Sequence, residues 1–477
     1  MTGSNAFRQN AHQIVDWIAD YFENIEKYPV KSVVAPGEIL DALPDQAPQK
    51  AENFAAIMDD FQKIIMPGIT HWQSPNFFAY FPANSSFPSV LAEMLTAALG
   101  TQCMVWETSP AAAELEERVM KWLKECMGLP ASLAGVIQDT ASTATLCAIL
   151  TAREKASSYA INKSGFKDQG ICRVYCSVDT HSSIAKAVKI AGLGTENLVQ
   201  IGVDEKRSML ISELEKAIVS DIEQGSRPLC VIATLGTTST TAIDPLPEIG
   251  DLCRRHGIWL HVDAAFAGTA LFLPEYRWMG KGMENVDSFV FNPHKWLFTN
   301  FDCSAYFVKD KEALIRTFEI LPEYLKTKAD SQVNNYRDWG IPLGRRFRAL
   351  KLWFVLRSFG VEGIQSKLRS HMKWARQLTR EIESVPDFEM LAPVPLNTLC
   401  FRFKPATIHE LKAVNELNER LLTTLNQSGK LYLTHTKING IYGIRMVIGQ
   451  TNVTQNHVTK AWERIKQTAR EMREQGK

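Results

Sequence analysis

The stretch "LCVIATLGTTSTTAID", Leu229 to Asp244, decides the fold class. Its opening residues are apolar or small almost without a break, over strand length, and the run stops at Gly236. A strand with one wet face alternates apolar and polar residues. A strand covered by helices on both faces is apolar at nearly every position. The same texture recurs in "GVIQ" (135–138), "RVYCSV" (173–178), "IWLHVD" (258–263) and "SFVFN" (288–292), with helical stretches between. This alternation, from about residue 87 to 370, predicts an α/β layer built on a mostly parallel sheet. In such sheets ligands bind beyond the carboxyl ends of the strands. The residues that follow each run are therefore the candidates for chemistry.

After "GVIQ" comes "DTASTATL", in which Thr140, Ala141 and Ser142 open a helix. Free N–H groups at a helix start, with nearby hydroxyls, suit a phosphate. Taken alone, simple capping accounts for the stretch. After "RVYCSV" comes "DTHSSIAKA", where His181 reads by itself as a helix-start residue. The hydroxyl-rich "TTSTTAID" holds a polar group or makes a turn. Asp263 ends an apolar strand before the small residues of "DAAFAG", and a buried carboxylate needs a partner. Lys295 follows a strand in "FNPHKWLFTN", amid aromatic residues. Desolvation would lower its pKa and make it a nucleophile, whereas a snorkelling stem would carry its charge to water. The two readings balance. Together the five strand ends offer a phosphate cradle, a flat-ring neighbour, a carboxylate and an imine-forming amine. That inventory matches pyridoxal phosphate.

The flanking segments read differently. Phe7, Ala11, Ile14, Val15, Ile18, Phe22 and Ile25 recur at helical steps, and a second helical stretch covers roughly 54–65. The aromatic, proline-broken "MPGITHWQSPNFFAYFPANSS" follows. So long an apolar loop calls for cover, and a partner subunit is one possible cover. Beyond residue 370, two strands and two long amphipathic helices predict a small α+β domain. The expected organisation is a 1–86 helical and extended dimerisation segment, an 87–370 cofactor-binding domain and a 371–477 C-terminal domain.

Bulk properties exclude several classes. Lys and Arg total 53 against 52 Asp and Glu, so neither nucleic acid nor an anionic membrane is called for. No run approaches a membrane span, and "MTGSNAFRQN" has no signal-peptide core. The nine cysteines form no CxxC, and HExxH is absent. No metal is expected, and the thiols fit a reducing cytoplasm.

The chain resembles the group II pyridoxal-phosphate decarboxylases, and most closely the aromatic L-amino-acid decarboxylases. The likeness runs essentially end to end, through "IIMPGITHWQSPNFFAYFP", "SPAAAELE", "ATLGTT", "WLHVDAAFAG", "FNPHKW", "NFDCSA" and "IPLGRRFRALKLWFVLRSFGVEG". The resemblance implies the aspartate-aminotransferase-like fold (type I), with a seven-stranded sheet, and a homodimer. It implies that Lys295 holds the cofactor covalently, Asp263 pairs with the ring nitrogen, His181 stacks on one ring face and Ala265 packs on the other. Thr140, Ala141, Ser142 and Asn292 would hold the phosphate. His294 lies beside the lysine, and Thr238 would support Asp263. Tyr324, on a polar loop from about 323 to 337, would protonate the substrate carbon after carbon dioxide leaves.

The substrate pocket would draw on Trp72, Tyr80, Phe81, Ala83, Gln102, Met104 and Gly344. Ala83 stands where aromatic-specific relatives carry a small hydroxylated residue that helps hold the substrate carboxylate, and Asn84 is the candidate substitute. Gln102 contacts a ring hydroxyl or faces away. Gly344 leaves room for a large ring where histidine-preferring relatives have serine. The expected reaction is decarboxylation of tyrosine, DOPA, tryptophan, phenylalanine or 5-hydroxytryptophan. The alternatives are an aldehyde synthase of the same family, a decarboxylase of a non-aromatic amino acid and a non-catalytic scaffold. Retention of Tyr324, His181, Asp263 and Lys295 argues against the aldehyde synthase and the scaffold.

Overall fold

The computed structural model describes residues 3–167, 169–320 and 332–475. Two compact units emerge: Ala83–Ala375 with Ala392–Leu399, and Met1–Pro82 with Arg376–Leu391 and Cys400–Lys477.

The larger unit is built on seven strands: β1 (Ala134–Gln138), β2 (Cys172–Ser177), β3 (Leu198–Ile201), β4 (Arg227–Thr234), β5 (Trp259–Asp263), β6 (Ser288–Phe291) and β7 (Ser304–Val308). Their order is β1-β7-β6-β5-β4-β2-β3. The pairs β2–β3, β2–β4, β4–β5 and β5–β6 are parallel, and β7 runs antiparallel to both β6 and β1. The sheet is α/β and mostly parallel, as the apolar runs predict. Strands β5, β6 and β7 are buried at every position. The helix Ala141–Ala156 buries small residues, among them Ala144, Cys147 and Ala148, in one cluster with Val174, Ile232, Val290 and Tyr306.

Because β7 is reversed, its first residue, Ser304, lies at the same edge as the last residues of β1, β5 and β6. That edge carries the candidate site. The turn after β4 is shaped by Gly236, whose φ is +85° and where a Cβ would stand 2.4 Å from that of Ala267. Only glycine accepts both the conformation and the approach.

In the other unit, β8 (Phe388–Met390), β9 (Thr398–Phe403), β10 (Thr434–Ile438) and β11 (Ile441–Val447) form a sheet in the order β10-β11-β9-β8. The helices Leu411–Gln427 and Gln455–Gln475 accompany it. The N-terminal helix spans Ser4–Glu23 and buries none of its residues. The second predicted helix is Phe54–Asp60, continued by a π-type turn over Phe61–Ile65. No described helix is long and apolar enough to cross a membrane.

Candidate active site

Lys295 sits in a four-residue helical turn, Pro293–Trp296, directly after β6. Pro293 at the first position starts the turn at no cost in hydrogen bonds. Lys295 is half-buried, while its neighbours His294 and Trp296 are buried. The turn is clamped from the segment 84–86. The Asn84 backbone N–H donates to the His294 carbonyl at 3.1 Å, its side-chain amide donates to the Lys295 carbonyl at 2.5 Å, and Ser86 Oγ donates to the Phe298 carbonyl at 2.7 Å. Asn84 is buried. The sequence offers Asn84 as a contact for the substrate carboxylate, whereas its amide donates to the lysine's own backbone carbonyl.

His294 accepts the Cys303 N–H on Nδ1 at 2.9 Å, which places the proton of the neutral ring on Nε2. Burial, helped by the Lys295 charge, pushes its pKa down to about 3.

Asp263, the last residue of β5, is 6% exposed. Its carboxylate accepts the Ala265 N–H at 3.0 Å, and no Lys or Arg ion-pairs with it among the described residues. Desolvation lowers the pKa of the His181 imidazole, Asp263 opposes that shift, and Lys295 adds to it. Groups at two further strand ends therefore act on the His181 imidazole. The imidazole is oriented by Ser183, whose hydroxyl lies 2.8 Å and whose N–H lies 3.1 Å from His181 Nδ1. Ala265 is half-buried.

Behind β5, His261 Nδ1 bonds Ser288 Oγ at 2.9 Å and Nε2 bonds Thr145 Oγ1 at 3.1 Å. Burial lowers its pKa to about 4. The imidazole ties the strand to its flanking helix two residues before the carboxylate.

The helix Ala141–Ala156 is capped by Thr140, whose side chain accepts the Thr143 N–H. The first-turn amides of Ala141 and Ser142 have no intrahelical acceptor by geometry. Ser304 Oγ stands between this helix start and the lysine turn, donating its one proton to Asn292 Oδ1 at 2.6 Å and lying 3.2 Å from the Asp139 carbonyl. With Oδ1 engaged, the Asn292 side chain turns its NH2 the other way.

Thr238 is exposed, and its hydroxyl makes no hydrogen bond to Asp263 or to any other described residue. The adjacent Thr237 is buried instead, bonding Thr240 Oγ1 at 3.1 Å and accepting the Ala242 N–H at 3.1 Å. The turn presents one hydroxyl inward and the next to solvent.

Gln102 is exposed, and its Oε1 accepts the Arg345 N–H at 3.3 Å. Gly344 lies beside it, and a Cβ there would come within 3.6 Å of Gln102 Nε2, an ordinary contact. Met104 is half-buried, and its carbonyl accepts the Arg337 N–H at 2.8 Å. A buried ion pair fixes this stretch. Arg345 Nη2 donates to Glu116 Oε1 at 2.6 Å and to the Ile137 carbonyl at 2.8 Å, and Nη1 donates to the Cys103 carbonyl at 3.2 Å. Of the polar loop expected over 323–337, residues 336–338 form a buried 3-10 turn and Asn335 accepts the Trp106 N–H at 2.9 Å. Tyr324 lies outside the described residues.

Trp72, Tyr80 and Phe81 belong to the other unit. Trp72 packs 4.4 Å from Phe77 and 5.7 Å from Tyr80, ring centre to ring centre. Tyr80 Oη is 3.2 Å from Tyr432 Oη. The Arg445 guanidinium lies 4.6 Å above the Phe81 ring.

Sequence reasoning passed over Asn84 as a backbone clamp, and Ser304, His261 and the Arg345–Glu116 pair altogether. A hydrogen bond to a distant carbonyl leaves no periodic trace. The signal for Ser304 was its place in "NFDCSA", at the start of a strand.

The donor set fits pyridoxal phosphate. A buried carboxylate without a cationic salt-bridge partner matches a protonated ring nitrogen. Unused helix-start amides and an amide NH2 match a phosphate, and a half-buried amine matches an aldehyde. The family model "Pyridoxal-dependent decarboxylase conserved domain" matches residues 36–404. The chain is 42% identical to tyrosine decarboxylase of Papaver somniferum, over 97% of this chain and 94% of that one. It is 43% identical to phenylacetaldehyde synthase of Arabidopsis thaliana, over 98% and 96%. The structure of Catharanthus roseus tryptophan decarboxylase in complex with L-tryptophan superposes with a TM-score of 0.91 at 39% identity, covering 98% of this chain and 99% of that one. Its seven-stranded sheet, its site and these likenesses together place the chain in the pyridoxal-dependent decarboxylase family, with pyridoxal phosphate as its cofactor.

Proposed function

We propose that the protein decarboxylates an aromatic L-amino acid to its amine. The observation that carries this reading is the convergence of Asp263, Lys295 and His181 at the ends of three strands of one sheet, where both charges bear on the imidazole. The aromatic preference is supported by relatives named for tyrosine and tryptophan. When bound, pyridoxal phosphate supplies an electron sink for the bond that breaks at the substrate α-carbon.

The chain's own residues do the rest. Lys295 would hold the cofactor through its amine. Asp263 keeps a proton on the ring nitrogen, and its burial strengthens that attraction. His181, kept toward neutrality by desolvation, would pack on one ring face, with Ala265 on the other. The amides of Ala141 and Ser142, the Thr140 hydroxyl and the Asn292 amide anchor the phosphate. Asn84 and Ser304 fix the lysine turn against that anchor, so the reacting groups meet in one geometry. Tyr324 is the general acid that returns a proton to the α-carbon. Trp72, Tyr80, Phe81, Ala83, Gln102, Met104 and Gly344 remain the candidates for substrate recognition.

The working form in this reading is a homodimer in the cytoplasm. Phe87, Leu91, Leu95 and Leu99 stand exposed at four-residue steps on the helix Phe87–Leu99, an apolar stripe suited to a second copy. All nine cysteines are free thiols, which supports a reducing compartment.

A second reading, aldehyde synthesis, is favoured by the likeness to phenylacetaldehyde synthase. Tyr324 and His181 support simple decarboxylation.

The test is carbon dioxide release across a panel of L-amino acids with added pyridoxal phosphate. Release from glutamate or histidine but not from aromatic substrates overturns the specificity. Peroxide, ammonia and aldehyde as main products overturn simple decarboxylation. Lys295→Ala should lose both turnover and the visible absorbance of the protein-bound cofactor.

A further inference from the structure

A second concave site lies in the unit formed by Met1–Pro82 and the C-terminal segments. It is a cleft of about 480 Å³. Its floor includes Val30, Leu431 and Ala461, all buried. Four cations line it: Lys27 from the turn Ile25–Lys27, Lys430 from the loop after the helix Leu411–Gln427, and Lys460 with Arg464 from the helix Gln455–Gln475.

None of these four side chains makes an ion pair or a hydrogen bond to another described residue. Elsewhere on the same helix, Lys466 pairs with Glu463 at 2.8 Å and Arg473 pairs with Asp387 at 2.7 Å. Two of the helix's cations outside the cleft are thus neutralised, while both of those that line it are bare. Lys460 and Arg464 are also four residues apart, a like-charge spacing that repels on a helix surface. Arg464 is half-buried, so its five donors are partly withdrawn from water without a protein acceptor.

One carboxylate, Glu26, also lines the cleft, so four cations face a single negative charge. Glu26 is engaged by Asn76 Nδ2 at 3.4 Å and by the His457 ring at 3.3 Å. The end of the helix Leu411–Gln427 brings some negative potential, but the Gly429 carbonyl is occupied by the Val30 N–H at 2.7 Å. The protein as a whole is near neutral, so this concentration of charge is local.

We propose that the cleft lined by Lys27, Lys430, Lys460 and Arg464 binds a small anion carrying two or more separated negative charges, of the phosphate or carboxylate class. The convergence of four cations from three elements on a concavity gives such a ligand several charge-assisted contacts at once. Tyr432 connects the site to the aromatic residues. Its N–H donates to the Asn76 carbonyl at 3.2 Å, its carbonyl accepts the Phe78 N–H at 2.9 Å, and its hydroxyl meets that of Tyr80. An effect on substrate affinity through that path rests on the reading of Tyr80 above; the anion binding does not.

The experiment is isothermal titration of the holoenzyme with inorganic pyrophosphate and, separately, with citrate. Binding of either probe supports the site, and the one that binds names the class. Each lost charge-assisted contact weakens affinity by about tenfold or more. Lys460→Ala with Arg464→Ala, and independently the exposed-loop variant Lys430→Glu, should each show that loss. Lys437→Ala, outside the cleft, should bind as the unmodified protein does. Absence of binding by both probes at millimolar concentration, or equal binding by all variants, overturns the proposal. Both outcomes are read from heat rather than turnover, so they are independent of the proposed reaction.

Discussion

Replacing Asn84 tests how the lysine turn is held. Asn84→Ala removes the side-chain bond to the Lys295 carbonyl and keeps the backbone bond from residue 84 to the His294 carbonyl. The site is buried, so water does not replace the lost donor. A hydrogen bond deleted with its acceptor left buried costs about 1–3 kcal/mol. If that cost falls on the placement of the amine, cofactor retention weakens roughly 5- to 150-fold. Equilibrium dissociation of the cofactor, followed by visible absorbance on serial dilution, measures it directly. Urea denaturation of the same variant separates a local effect from a global one. The reasoning fails if Asn84→Ala keeps its cofactor as tightly as the parent and raises only KM for the amino acid. Asn84 would then serve the substrate carboxylate in place of the hydroxyl missing at Ala83.

Tyr324→Phe should keep the cofactor and shift product from amine toward aldehyde; amine formed at full rate would refute the assigned proton transfer. Leu91→Glu with Leu95→Glu places two charges on the exposed apolar stripe and should shift the protein to monomers in sedimentation velocity. A wild-type chain that sediments as a monomer would remove the proposed interface. Stability should fall on acidification from pH 6.5 toward 4. His261, His294 and His371 are held by burial at about 4, 3 and 3. Their unfolded forms take up protons below about 6.5, so each destabilises the fold by up to about 1.4 kcal/mol per pH unit through that window. Asp244, raised to about 6 by burial, and Asp287, also raised by burial, work in the opposite direction over part of the range, but His71 and His181, likewise lowered by burial, add to the three histidines. Urea midpoints at pH 7 and pH 5 that coincide would contradict this balance.

Much of the larger unit was legible because its strands are buried on both faces. Runs such as Leu229–Thr234 carry that condition in every residue. The reversal of β7 was not legible, since "SAYFV" is equally apolar read in either direction. The candidate cofactor residues were readable as types at strand ends, where the fold leaves backbone and side chains open to a ligand. Their supports were not. Asn84 and Ser304 act on carbonyls far away in sequence, and nothing in residue spacing encodes that. Gln102 illustrates the same limit, because its carboxamide oxygen is taken by the Arg345 backbone. Thr237 and Thr238 are chemically alike, and only the turn geometry decides which hydroxyl faces inward.

The reversed strand also constrains evolution and engineering. Phe291 and Ala305 are register partners on β6 and β7, so the chain from 292 to 303 leaves the sheet and returns to it at one level. Parallel neighbours would need a crossover to reconnect, and crossovers absorb changes in length. A closed excursion has no such slack. An insertion or deletion between Asn292 and Lys295, in the turn that directly follows β6, would alter the height of the amine above the sheet. Loop-length variation, tolerated at most surface turns, should therefore be lethal to activity here even where the fold survives.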